Sequence, residues 1–95
     1  MAAYLVVDCK VTDASRYEDY KRLAQAAVAR HGGRYLARGG ETVVLEGGWQ
    51  PARVIVLGFP SLAQAKAFYD SPEYAAARVA RRGAAQMNMI AVAGA

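Results

Sequence analysis

Between Phe59 and Arg82 the chain carries two short helix-forming stretches separated by Asp70-Ser71-Pro72, and this break restricts the fold more than any other feature. Ser71-Pro72-Glu73 reads as a helix start: a hydroxyl to accept from free amides, a proline suited to the first turn, and an acid near the positive dipole end. Gly83 closes that second helix. At the head of the first, Ser61 and Gln64 have capping-box spacing, and the helix carries Leu62, Ala65, Phe68 and Tyr69. With Tyr74, the aromatics around the break form a wall that needs an apolar surface to pack against. In a chain of 95 residues, one small sheet has to supply that surface.

The remaining strand signals supply it. Tyr4 to Val11 has period two, with Leu5, Val7, Cys9 and Val11 on one side and Tyr4, Val6, Asp8 and Lys10 on the other. Thr12-Asp13-Ala14-Ser15 opens a helix, capped by Asp13 or Ser15, whose stripe is Tyr17, Tyr20, Leu23, Ala24, Ala27 and Val28. It ends at His31-Gly32-Gly33, where a glycine can take the left-handed conformation. From Arg34 the period returns to two, placing Tyr35 and Ala37 opposite Arg34, Leu36 and Arg38. Arg38-Gly39-Gly40-Glu41 reads as a turn, with Thr42 to Glu46 as the return strand of a hairpin. Trp49 falls on a loop bounded by Gly47-Gly48 and Pro51. Arg53 to Phe59 is the most continuous apolar strand and the expected spine of the sheet, and Met87 to Val92 alternates as a final strand.

The order predicts an α+β sandwich, a mainly antiparallel sheet with helices on one face, as a single domain spanning 1–95. Hydrophobic residues make up 55% of the chain, but many are alanine, so the core is thin and a sheet bare on one face favours a homodimer. The net charge of +4 comes mostly from arginine. Arg78, Arg81 and Arg82, and Lys21, Arg22 and Arg30, read as solvated helix faces, because no nucleic-acid-binding motif accompanies them. Cys9 is the only cysteine, which excludes an internal disulfide or a thiolate metal cluster and fits a reducing compartment. The start lacks a basic segment followed by an apolar run, and no stretch approaches the roughly 18 apolar residues of a membrane span. The expectation is a cytoplasmic protein with no membrane or nucleic-acid partner, no metal and no cofactor.

Several segments together carry a family resemblance: Asp8-Cys9-Lys10-Val11-Thr12-Asp13, Tyr17-Glu18-Asp19-Tyr20, His31 to Gly40, Leu45-Glu46-Gly47, Phe59-Pro60-Ser61, and Phe68-Tyr69-Asp70-Ser71-Pro72-Glu73-Tyr74. The chain resembles, over nearly its whole length, the bacterial family of domain of unknown function 1330. The resemblance implies a ferredoxin-like fold that pairs into a dimeric α+β barrel, with two sheets facing each other and helices outside. The wider superfamily includes cofactor-free monooxygenases, isomerases, haem-degrading proteins and effector-binding domains, so the fold does not choose among them.

For a small-molecule ligand, the expected pocket lies between sheet and helices, bounded by Tyr17, Tyr20, Phe68, Tyr69 and Tyr74. In a catalytic reading, Arg38 holds an anionic or carbonyl group, Asp8 or Glu46 serves as base, and Tyr35 or His31 donates a proton. The plainer account makes the tyrosines amphipathic core, pairs Arg38 with Glu46, and leaves His31 as a cap in its last helical turn. Two alternatives stand beside the enzyme reading: a non-catalytic metabolite-binding module, and a haem-handling protein that uses His31 as axial ligand.

Overall fold

The computed structural model describes residues 2–95; Met1, part of the expected domain 1–95, lies outside the described residues. The chain runs β1 (Ala3–Val11), α1 (Ala14–Arg30), β2 (Arg34–Arg38), β3 (Val54–Phe59), α2 (Leu62–Asp70), α3 (Pro72–Ala80) and β4 (Ala85–Ala93). The four strands form one sheet in the order β2-β3-β1-β4, and every neighbouring pair is antiparallel. Helices cover one face, and the Cα extents of 34 × 31 × 17 Å are those of a two-layer slab. This is the expected α+β, ferredoxin-like architecture. No helix is long and apolar enough to cross a membrane.

The period-two reading of β1 holds: Ala3, Leu5, Val7 and Cys9 are buried beneath the helices, while Tyr4, Val6 and Asp8 on the other face are half-exposed. In α1 the predicted stripe is the buried one, with Tyr17, Tyr20, Ala24, Ala27 and Val28 facing the sheet. Asp13 takes the capping position and accepts from the Arg16 amide at 3.1 Å. His31 is the C-cap, and Gly32 follows at φ 75°, the left-handed turn that reverses the chain into β2. Ser71 ends α2 and begins α3: its hydroxyl donates to the Phe68 carbonyl at 2.7 Å and accepts from the Tyr74 amide at 3.1 Å. One buried side chain thereby fixes the angle between two helices.

The hairpin expectation requires correction. Thr42 to Glu46 form no strand; β2 pairs with β3, and residues 39–53 are a long loop. Competition for the sheet explains this. Ile55, Leu57 and Phe59 of β3 are 8%, 5% and 3% exposed, whereas Val43 and Leu45 are 74% and 91% exposed. Burying three large side chains is worth several kcal/mol, at roughly 1.5–3 each, so β3, whose side chains the helices cover, takes the place beside β2 and the exposed 42–46 segment does not. A second correction concerns β2 itself. Tyr35 lies opposite Leu57 and Arg38 opposite Ile55, with a register shift between Tyr35 and Ala37. This bulge absorbs Leu36 and brings Tyr35 and Arg38 to the same face, which strict alternation assigned to opposite faces.

Candidate functional site

The aromatic wall is real and densely packed. Phe68 stacks on Phe59 at 5.1 Å and on Tyr74 at 4.6 Å between ring centroids, and Tyr69 flanks Tyr74 at 5.5 Å. From α1, Tyr20 meets Tyr74 edge-on at 6.2 Å, and their hydroxyls share a hydrogen bond of 2.7 Å. Tyr17 packs on Tyr20 at 5.2 Å, and the Cys9 thiol donates to the Tyr17 hydroxyl at 3.5 Å. Helical spacing of three on α1 delivers both hydroxyls to the sheet side, and α3 meets them from across the layer.

Between these rings and the sheet lies a narrow cavity of about 30 Å³, enough for roughly two waters. Its walls include Tyr17, Tyr20, Phe68 and Tyr74, with Tyr35 and Arg38 from β2, Lys21 and Ala24 from α1, and Arg53 just before β3. Arg38 stacks over the Tyr35 ring at 4.1 Å and donates through Nη2 to the Gln25 side chain at 3.1 Å. Lys21 pairs with Glu18 at 3.0 Å.

The hydroxyls of this cavity are held neutral. Burial pushes Tyr17 far up, reinforced by the Cys9 thiol, and pushes Tyr20 far up, reinforced by Tyr74. Tyr35 is raised by burial against the opposing pull of Arg38, and Tyr74 by burial against its hydrogen bond from Tyr20 and the charge of Arg81. At neutral pH these phenols are hydrogen-bond donors or acceptors and not bases. Among the described lining residues there is no carboxylate and no imidazole. The arrangement is suited to stabilising negative charge on a bound oxygen, as preorganised donors do.

Of the sequence-predicted site residues, the cavity therefore gathers Tyr17, Tyr20, Tyr35, Arg38, Phe68 and Tyr74, while Tyr69 stands behind Tyr74. The other candidates lie elsewhere. Asp8 is on the uncovered face, where its carboxylate accepts from Trp49 Nε1 at 2.9 Å and from the Ala52 amide at 3.1 Å, tying down the 39–53 loop. Glu46 is exposed within that loop, and among the described residues no ion pair joins it to Arg38. His31 donates through Nε2 to Glu73 at 2.7 Å, with Arg30 at 3.6 Å from the same carboxylate. The His31 bond lowers the Glu73 pKa, opposed by the cost of burial and aided to a lesser degree by the charge of Arg30. That contact ties α1 to α3 and occupies the nitrogen a haem iron would need. No group of three or more His, Cys, Asp or Glu that could hold a metal occurs among the described residues.

Sequence reasoning passed over Lys21 and Arg53 as cavity residues. The signal for Arg53 was present: it shares odd parity with Ile55, Leu57 and Phe59, the buried face of β3. Trp49 was placed on a loop, but its bond to Asp8 spans 41 residues and had no local sign.

Solved structures share the fold. A protein of unknown function from Rhodopseudomonas palustris is 20% identical with a TM-score of 0.76, over 99% of this chain and 82% of that one. SnoaB, a cofactor-independent oxygenase from Streptomyces nogalater, is 14% identical with a TM-score of 0.69, over 99% and 93%. A dimeric ferredoxin-like protein from Thermobifida fusca is 15% identical with a TM-score of 0.65, over 99% and 92%. Among curated proteins none matches the chain. Residues 2–95 match the family described as domain of unknown function DUF1330, and the protein belongs to that family.

Proposed function

We propose that the protein is a homodimer, each protomer of which binds a small organic molecule in the tyrosine-walled cavity between α1, α3 and the sheet. The observation that carries this reading is the cavity itself: a void whose apolar walls, Val7, Val28, Ile55, Leu57 and Met89 among them, are interrupted by neutral tyrosine hydroxyls and by the cations Lys21, Arg38 and Arg53. A void lined only for packing is dry and apolar. Its volume of about 30 Å³ holds a polar head group, so a larger ligand enters by displacing Tyr35 and Arg38, which sit on the edge strand β2. The fold shared with SnoaB makes oxygen-dependent turnover without a cofactor the first activity to assay.

The homodimer rests on the uncovered sheet face. Leu36, Ile90 and Val92 are 47%, 64% and 46% exposed, and Trp49 of the 39–53 loop is 61% exposed beside them. Such an apolar surface on a small domain calls for a partner, and pairing two sheets face to face would complete the α+β barrel. The buried, unpaired Cys9 suits a reducing cytoplasm.

The test fills the cavity. Ala24, 4% exposed, lines it, and Ala24→Leu extends a side chain into the space. A fragment screen of small aromatic and carbonyl compounds, read by ligand-observed NMR, should yield binders that Ala24→Leu abolishes while circular dichroism shows the fold retained. Binders that survive Ala24→Leu unchanged would place the ligand site elsewhere.

A further inference from the structure

We propose that the cavity receives the oxygen of an organic anion, a carboxylate or an enolate, and that Arg53 is the residue that binds it. This rests on the reading of the cavity as a ligand site and adds the chemical class of its occupant.

The balance of charge in the lining comes first. Lys21, Arg38 and Arg53 contribute three cations, and the described lining residues contribute no carboxylate to answer them. Lys21 is neutralised from outside by Glu18 at 3.0 Å. Neither Arg38 nor Arg53 has an ion-pair partner among the described residues, and Arg38 spends one donor on the neutral amide of Gln25. Arg53 is the more constrained of the two. Its Nε is shielded from solvent and has no hydrogen-bond partner, and a buried donor left unmade is costly to a fold. A carboxylate oxygen accepting from that group would remove the cost and meet the fork geometry of guanidinium.

The backbone is shaped around this arginine. Gly39 has φ 74°, and a Cβ built there would come within 2.6 Å of Arg53 Cζ and 2.8 Å of its Nε. The guanidinium therefore lies directly against bare glycine backbone, in space that any side chain would fill. The bulge at Leu36 turns Arg38 onto the same face, beside Tyr35. Arg53 also acts on Tyr17, where its charge partly offsets the upward push of burial. A ligand oxygen between Arg53 and the Tyr17 hydroxyl would thus meet one charged and one neutral donor. Space for roughly two waters accommodates a carboxylate head, with the rest of the molecule directed toward β2.

The experiment is a pair of isosteric titrations, acetate against acetamide and benzoate against benzamide, followed by amide NMR at matched ionic strength. Acetate should give saturable shifts at Arg38, Gly39 and Arg53, with acetamide about tenfold weaker or worse. Arg53→Gln should abolish that preference and Arg53→Lys should keep part of it. Gly39→Ala, which retains the charge but displaces the guanidinium, should weaken acetate as well and serves if Arg53→Gln does not fold. Equal binding of acid and amide, a non-saturating acetate titration, or acetate shifts unchanged in Arg53→Gln would each overturn the proposal. The two readings separate cleanly. If benzoate and benzamide bind equally and Ala24→Leu abolishes both, the cavity is a ligand site without anion preference. If only acetate binds, and through Arg53, the anion site stands while the larger organic ligand fails.

Discussion

The buried tyrosines should make the protein's stability collapse in alkali, at a rate that can be worked out. Tyr17, Tyr20 and Tyr74 are 4%, 7% and 1% exposed, and burial raises the pKa of all three above the ordinary phenol value. Because the folded value exceeds the unfolded one, their contribution is complete below about pH 10 and is lost as pH rises further: the unfolded chain ionises and the folded one does not. Each tyrosine kept neutral in this way removes about 1.4 kcal/mol per pH unit. Tyr17 and Tyr20, with the largest shifts, together remove about 2.7 kcal/mol per unit, and Tyr74 adds up to about 1.4 until its own folded pKa is reached. A domain of 95 residues has about 5–14 kcal/mol to lose, so two to three pH units above about 10 should unfold it. Urea titrations at stepped alkaline pH measure the slope. In Tyr20→Phe it should fall by about 1.4 kcal/mol per unit, because one of the ionising groups has been removed. An identical slope in Tyr20→Phe would refute the reasoning. So would full tyrosinate absorbance from all six tyrosines with far-ultraviolet circular dichroism and urea midpoint unchanged.

Other expectations follow from single contacts. Asp8→Ala should free the 39–53 loop at a cost of about 1–2 kcal/mol, read as greater quenching of Trp49, the only tryptophan, with circular dichroism unchanged. Ser71→Ala removes a buried hydroxyl serving two helices and should cost about 1–2 kcal/mol in urea unfolding; a change near zero would mean that packing alone sets the helix angle. Glu73 has a lowered pKa, so its contribution is present above the usual carboxylate range and disappears as pH falls through the folded value. Glu73→Gln should therefore be less stable than the wild type at neutral pH and equal to it in acid. Ile90→Asp places a charge on the uncovered sheet face and should dissociate the proposed dimer in sedimentation experiments at micromolar concentration while leaving the protomer folded.

The sequence by itself determined the elements whose signals are local. The cap residues Asp13, Ser61 and Ser71, the tyrosine stripe of α1, and the alternation in β1 all lie where the periodicity and capping chemistry put them. These features are legible because each is settled within one or two turns of chain, by the geometry of a single helix or strand. The gathering of Tyr17, Tyr20, Phe68 and Tyr74 was legible for the same reason, since apolar faces at fixed spacing must meet a common core.

Only the tertiary structure decided which strand pairs with β2. Val43 and Leu45 alternate as well as Ile55 and Leu57 do, but the choice between them depends on which set the helices can bury. It likewise decided which polar residues reach the cavity. The bulge at Leu36 reverses the facing of Arg38, and the same sheet puts Asp8 on the opposite side, bound to the loop. A single inserted residue flips every later side chain, and it is stabilised by long-range pairing that leaves no trace in local propensity. The identity of the cavity's polar lining is a property of register, and register is settled by the whole sheet at once.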